Sequence, residues 1–184
     1  MNALTYLLAG KTQYNLHSPF VFGLYTEVLL PRVSPSFLQT CGLSLRDRRN
    51  AAFMYKLADH YGLKKILVRK KPNVSGVFEW AEEKLPRLLG TEAGVSGNDC
   101  KSPFCASLMI CDAESFLSMK KENSELFSHG TVVVVPDIHV FSASERLWET
   151  ITNDTSNILT IDVYTMGMVF FREELSVQRF LLRV

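Results

Sequence analysis

Thr131-Val132-Val133-Val134-Val135 is the most restrictive stretch of the sequence. Four valines in succession leave neither side of the pleat polar. Such a segment suits a strand buried on both faces, as in the middle of a parallel sheet covered by helices. A sheet with one wet face would alternate apolar and polar residues instead. The chain must therefore supply further strands beside this one and helices above and below it. Leu108-Met109-Ile110-Cys111 and Ile66-Leu67-Val68 are two more short apolar runs of the same kind.

Helical patterns fall between and before these runs. Ser18-Pro19 reads as an N-cap followed by proline where a missing N–H costs nothing. Phe20, Val21, Leu24, Tyr25, Val28 and Leu29 then share one helical face, and Pro31 ends the run. Residues 32–41 read as a linker. A second helix over 47–61 turns Phe53, Met54, Leu57, Ala58 and Tyr61 inward, with Gly62 as its stop. Residues 77–85 suit a short helix, 87–92 a weak strand and 90–103 a polar loop. A helix over 115–128 places Phe116, Met119 and Phe127 inward, and Ser142-Ala143-Ser144-Glu145 reads as a capping box before Leu147, Trp148 and Ile151. Three apolar runs, 161–164, 168–171 and 180–184, close the chain as strands joined by short turns and read as antiparallel. Thr165-Met166-Gly167 is too short for a crossover helix, so the first two of them must be antiparallel. The predicted fold is α/β: a mostly parallel sheet with a late antiparallel strand over residues 46–184, preceded by an N-terminal helical extension over 1–45.

Composition removes several classes of function. With 184 residues, 47% of them hydrophobic, the chain can bury one core without disulfide staples. Twenty Lys and Arg against 19 Asp and Glu leave no basic stripe, so no nucleic-acid partner is expected. No apolar run approaches the roughly 20 residues of a spanning helix, so no membrane partner is expected either. The apolar run from Leu4 to Gly10 lacks a basic preface, so a cytoplasmic location is expected. Cys41, Cys100, Cys105 and Cys111 form no CxxC pair and read as buried free thiols.

Ligands of open α/β sheets gather beyond the carboxyl ends of the strands. That rule selects residues 69–76, Glu92, 112–115 and 136–142. Glu92, Asp112 and Asp137 each follow a separate strand candidate and would converge on one edge. Lys64, Lys65, Arg69, Lys70 and Lys71 bracket the first strand, as a solvated edge or as an anion site beside the next helix N-terminus. His17 suits either a lid or a contact fixing the N-terminal helix. Trp80 and Trp148 lie at core spacing.

Leu16-His17-Ser18-Pro19-Phe20-Val21, Val135-Pro136-Asp137-Ile138-His139, and the ending from Gly167-Met168-Val169-Phe170-Phe171-Arg172 to Phe180-Leu181-Leu182-Arg183 resemble bacterial class I S-adenosylmethionine-dependent methyltransferases. The resemblance is strongest in the first 30 and last 50 residues. It implies a Rossmann-like, seven-stranded methyltransferase sheet whose late strand is antiparallel. Here the sheet would be shortened in the middle, because only about fifteen residues separate Glu92 from Leu108. The resemblance also implies S-adenosylmethionine as cofactor, with Glu92 on its ribose and Arg69, Ser75, Gly76 and Asp112 around the remainder. The implied substrate is a small hydroxyl-bearing acceptor. By the same resemblance Asp112 and Asp137, with His139, would act as the catalytic group and hold a divalent ion, Mg²⁺ or Mn²⁺ or a borderline metal such as Fe²⁺ or Zn²⁺. That ion would lower the pKa of the acceptor hydroxyl. The plainer alternative has Asp137 capping the next element and His139 satisfied at the rim.

The cofactor turn departs from the family pattern. Arg69 stands where a carboxylate would meet the cofactor's ammonium, and Lys70, Lys71 and Pro72 replace a glycine-rich turn of which Gly76 remains. A cation facing an ammonium and a sulfonium costs on the order of 1 kcal/mol per close contact in a cleft. Two functions follow from the sequence. One is a methyltransferase-like enzyme with impaired or lost cofactor binding. The other is a non-catalytic binding or scaffold protein on the same fold, with homodimer contacts through its N-terminal helices.

Overall fold

The computed structural model describes residues 3–12, 16–31, 42–63, 65–69, 76–90, 107–127, 130–156, 159–171 and 177–184. Its centre is one six-stranded sheet: β1 (Lys65–Arg69), β2 (Ser107–Cys111), β3 (Thr131–Pro136), β4 (Leu159–Asp162), β5 (Met166–Phe170) and β6 (Gln178–Leu181). The spatial order is β1-β2-β3-β5-β4-β6. β1, β2 and β3 are mutually parallel, β5 is antiparallel to both β3 and β4, and β6 is parallel to β4. β5 alone runs against the rest, as the short turn before it requires. The last strand departs from expectation, since β6 pairs in parallel with β4 and makes no antiparallel ladder with β5. Both edges of β5 are already taken by β3 and β4, which leaves the far side of β4 as the open position.

The four valines divide strictly by parity. Val132 and Val134 join a core with Leu108 and Ile110 on one face, while Val133 and Val135 join Met109 and Cys111 on the other. The first face is covered by α2 (Pro19–Gly23) and its π-helical continuation Leu24–Leu29, by α3 (Leu45–His60), and by α4 (Gly76–Glu83). Val21, Leu24, Tyr25, Val28 and Leu29 belong to that same core, so the N-terminal helices help build the main body. The second face carries α6 (Ala113–Glu122) and α7 (Ser142–Asn153), with Phe116, Trp148 and Ile151 buried against the strands. Trp80 lies in the first core and Trp148 in the second, as their spacing predicts.

Local chemistry accounts for the helix ends. The Ser18 hydroxyl accepts from the Val21 N–H, and Pro19 opens α2. Ser44 caps α3, accepting from the Asp47 N–H at 3.2 Å, so that helix starts two residues before the predicted position. Gly62 adopts φ +58° and stops it, as expected. Residues 87–90 of the expected strand are not extended, and residues 91–92 lie outside the described residues. Residues 85–89 form a short helix, α5 (Leu85–Leu89), with Pro86 in its first turn and Gly90 left-handed at its end. α6 starts at Ala113 under an Asp112 cap, and only a separate 3-10 turn, Ser124–Phe127, follows it. The first helix of the chain, α1 (Ala3–Ala9), falls within the expected helical extension, although no periodicity marks it as a separate helix.

Lys56 of α3 ties two of these helices together. Its ammonium donates to the carbonyl of Pro31 at 2.7 Å and lies 3.4 Å from that of Leu29, at the exit of the π segment. Burial, helped by the nearby Arg49 charge, lowers its pKa to about 8. The unfolded chain therefore holds this proton more tightly than the folded one. Folding is penalised by the buried charge below pH about 8, and the penalty fades as pH rises toward the ordinary lysine value of 10.5. The melting temperature of the natural protein relative to Lys56→Met is expected to rise between pH 8 and 10 in paired thermal scans. A pH-independent difference would contradict the buried charge.

Candidate functional site

Because β1, β2, β3 and β4 are parallel, their carboxyl ends share one edge of the sheet. Arg69 ends β1, Asp112 follows β2, Asp137 follows β3, and Asp162 ends β4. Each meets a different local partner. The Asp112 carboxylate caps α6: Oδ1 accepts from the Ser115 N–H at 3.0 Å and Oδ2 from the Ser115 hydroxyl at 2.6 Å. Asp137 takes a left-handed φ of +62° and lies 3.4 Å from Arg46 Nε. Its N–H donates to Thr165 O at 2.9 Å, joining the β3 exit to the β4–β5 turn. Asn50 of α3 donates to the same carbonyl at 3.4 Å. Asp137 therefore opens a turn and does not cap a helix; the cap position of α7 is held by Phe141.

The His139 side chain is nearly enclosed, 5% exposed. Its Nε2 lies 2.7 Å from Asp162 Oδ2, and its Nδ1 lies 3.3 Å from Glu145 Oε1. A carboxylate only accepts, so Nε2 carries the proton shared with Asp162. The Asp162 carboxylate also accepts from Trp148 Nε1 at 3.1 Å and, through Oδ1, from the Tyr164 N–H at 2.8 Å. Three donors thus hold one buried carboxylate, the condition under which burial of its charge is tolerable. The Tyr164 ring, on a residue with φ +67°, stacks on the imidazole at 5.5 Å between centroids. Tyr6 of α1 closes the cluster, edge-on to His139 at 6.1 Å. Its hydroxyl lies 2.8 Å from Asp162 O and 2.6 Å from Leu182 O. Burial and the adjacent Asp162 charge push the Tyr6 phenol far above its ordinary range, so it stays a donor.

Several expectations change on this geometry. The capping box does not form, because α7 begins at Ser142 and Glu145 reaches back to the imidazole. Asp112, Asp137 and His139 do not gather around one ion: among the described residues no three His, Cys, Asp or Glu side chains are grouped to hold a metal. Both ring nitrogens of His139 face carboxylates of β4 and α7, and Asp112 turns back onto its own helix. Arg69 is the exposed last residue of β1. Gly76 opens α4, where an added Cβ would touch Leu43 at 3.4 Å, an ordinary contact and no sign of a ligand's close approach. Ser75 and Glu92 lie outside the described residues, as do Lys64, Lys70, Lys71, Cys41, Cys100 and Cys105. Cys111 is a buried free thiol, its pKa driven well up by burial. His17 is exposed.

Asp162, Glu145, Arg46 and Tyr6 were not selected from the sequence. Asp162 had a usable signal, a lone acid inside Ile161-Asp162-Val163 at the carboxyl end of a strand. Arg46 and Tyr6 reach the site only through long-range packing, and Glu145 from the first turn of α7, six residues after His139. Among the described residues no helix is long and apolar enough to cross a membrane.

Comparison with protein families, with curated proteins and with solved structures finds no match to this chain. The class defined by fold and site is an α/β protein with a mostly parallel sheet, one reversed strand, and a buried His–carboxylate cluster at the carboxyl edge.

Proposed function

We propose that this chain is a methyltransferase-like protein that has lost the methyl-transfer reaction and serves as a non-catalytic binding or scaffold protein. The observation that carries this reading is the state of the carboxyl edge. Asp112 is spent on Ser115, Asp137 lies against Arg46, and His139 is enclosed by Asp162 and Glu145. The side chains that would face a cofactor and an acceptor hydroxyl are engaged by the chain itself. The reversed β5 beside the valine strand supports descent from a methyltransferase sheet. A loss of S-adenosylmethionine binding is supported by Arg69, which places a cation at the end of β1, and by the Asp112 carboxylate, which is turned onto Ser115 of its own helix.

Calorimetric titration with S-adenosylhomocysteine, with and without Mg²⁺, tests the proposal. The expected result is no heat and an unchanged melting temperature. Micromolar binding would overturn it and restore a methyltransferase acting on a hydroxyl-bearing acceptor near Asp112 and Asp137.

A further inference from the structure

The N-terminal segment is attached to the site in an unusual way. α1 has seven residues, too short to be stable alone in water. From Thr5 to Ala9 its only buried side chain is Tyr6, while Leu7 and Leu8 are exposed. It is also tied to the C-terminal strand region by reversible hydrogen bonds and by the Lys11 ammonium, which lies 5.7 Å from the centre of the Phe180 ring. Lys11 N–H donates to Leu181 O at 2.7 Å, Arg183 N–H to Lys11 O at 3.0 Å, and Arg183 Nη1 to Leu7 O at 3.2 Å. Gly10 makes the close passage possible, since a Cβ there would sit 3.2 Å from Arg183 Cβ and 3.1 Å from Tyr6 O. Beneath this segment lies the acid–base pair His139–Asp162, shielded by the Tyr6 ring.

We propose that residues 5–11, whose one buried side chain is Tyr6, form a strap that opens independently of the sheet and controls access to the His139–Asp162 pair. A segment with one buried anchor opens at far lower free energy than strands buried on both faces. When it swings out, the imidazole loses its outer cover while its bond to Asp162 and its stacking on Tyr164 remain. The closed strap thus covers a preformed polar site. This inference stands whether or not a methyltransferase cofactor binds.

Two measurements test it. In hydrogen–deuterium exchange on the natural protein, the Gly10 and Lys11 amides are expected to exchange at least about a hundredfold faster than those of Val132–Val135. Diethyl pyrocarbonate labelling, with the exposed His17 and His60 as references, reads access to the imidazole. His139 is expected to react at least about tenfold slower than His17, and to approach it in Tyr6→Ala. Tyr6→Phe keeps the ring and removes the hydroxyl, so it should speed exchange of the strap while leaving His139 largely shielded. Strap amides as slow as the valine-strand amides would show that the segment opens only with global unfolding, and would overturn the proposal. So would a His139 equally shielded in a folded Tyr6→Ala. If Tyr6→Ala fails to fold, the exchange data and Tyr6→Phe still decide.

Discussion

Gly167→Ala is expected to destabilise the protein by about 3 kcal/mol or to prevent folding, in line with overpacking of a filled core. Gly167 lies in β5 between Val135 and Asp162, and its missing side chain is occupied by the Trp148 indole. A Cβ there would stand 2.3 Å from Trp148 Cη2 and 2.5 Å from Cζ2 and Cζ3. The backbone at Gly167 does not require a left-handed φ, so alanine would ordinarily stabilise by narrowing the unfolded ensemble. The collision reverses that sign. Trp148 is buried on α7 and bonded to Asp162, so it cannot withdraw without breaking the cluster around His139. Urea denaturation with near-ultraviolet circular dichroism of the indole checks this, and an unchanged midpoint would refute the packing argument.

Replacement of Asp162 has the second large effect. Asp162→Ala strands three donors at once: the His139 Nε2–H, the Trp148 Nε1–H and the Tyr164 N–H. Removing one partner of a buried ionic cluster typically costs about 3–5 kcal/mol. Asp162→Asn keeps the shape and one accepting oxygen, but its amide group turns N–H toward N–H at the other position. A smaller loss, about 1–3 kcal/mol, is expected for it. The ordering Ala worse than Asn, read from urea midpoints, separates a polar network from simple space filling. Equal losses in the two variants would mean that volume, and not hydrogen bonding, is what Asp162 contributes.

Much of this architecture is legible in order along the chain because it depends on local periodicity. The valine run specifies a strand buried on both faces, and its even and odd members line separate cores. Ser18-Pro19 and Gly62 mark helix ends through their own backbone preferences. The three-residue turn at 163–165 imposes the reversal of β5, although Met166 and Gly167, read as turn residues, already belong to the strand. Where one element's identity depended on a competing signal, the reading failed. Residues 87–90 carry no β-branched side chain, and Pro86 with Gly90 brackets a helical turn there instead of the start of a strand.

The site was legible only by halves. Asp112 and Asp137 follow strands, in segments selected by the rule that ligands gather there, and the family resemblance grouped them with His139 as a site. Their roles depend on partners that spacing cannot supply. Ser142-Ala143-Ser144-Glu145 has the sequence of a capping box, yet an enclosed imidazole three residues before the helix competes for the Glu145 carboxylate and takes it. Tyr6 stands 156 residues from Asp162 and meets it only because β6 returns beside β4 and draws the N-terminal segment across its end. Periodicity, capping and turn length act within a few residues, so they reach the elements and the sheet's one reversal. Which carboxylate faces a ligand and which faces its own chain is decided by contacts across the whole fold.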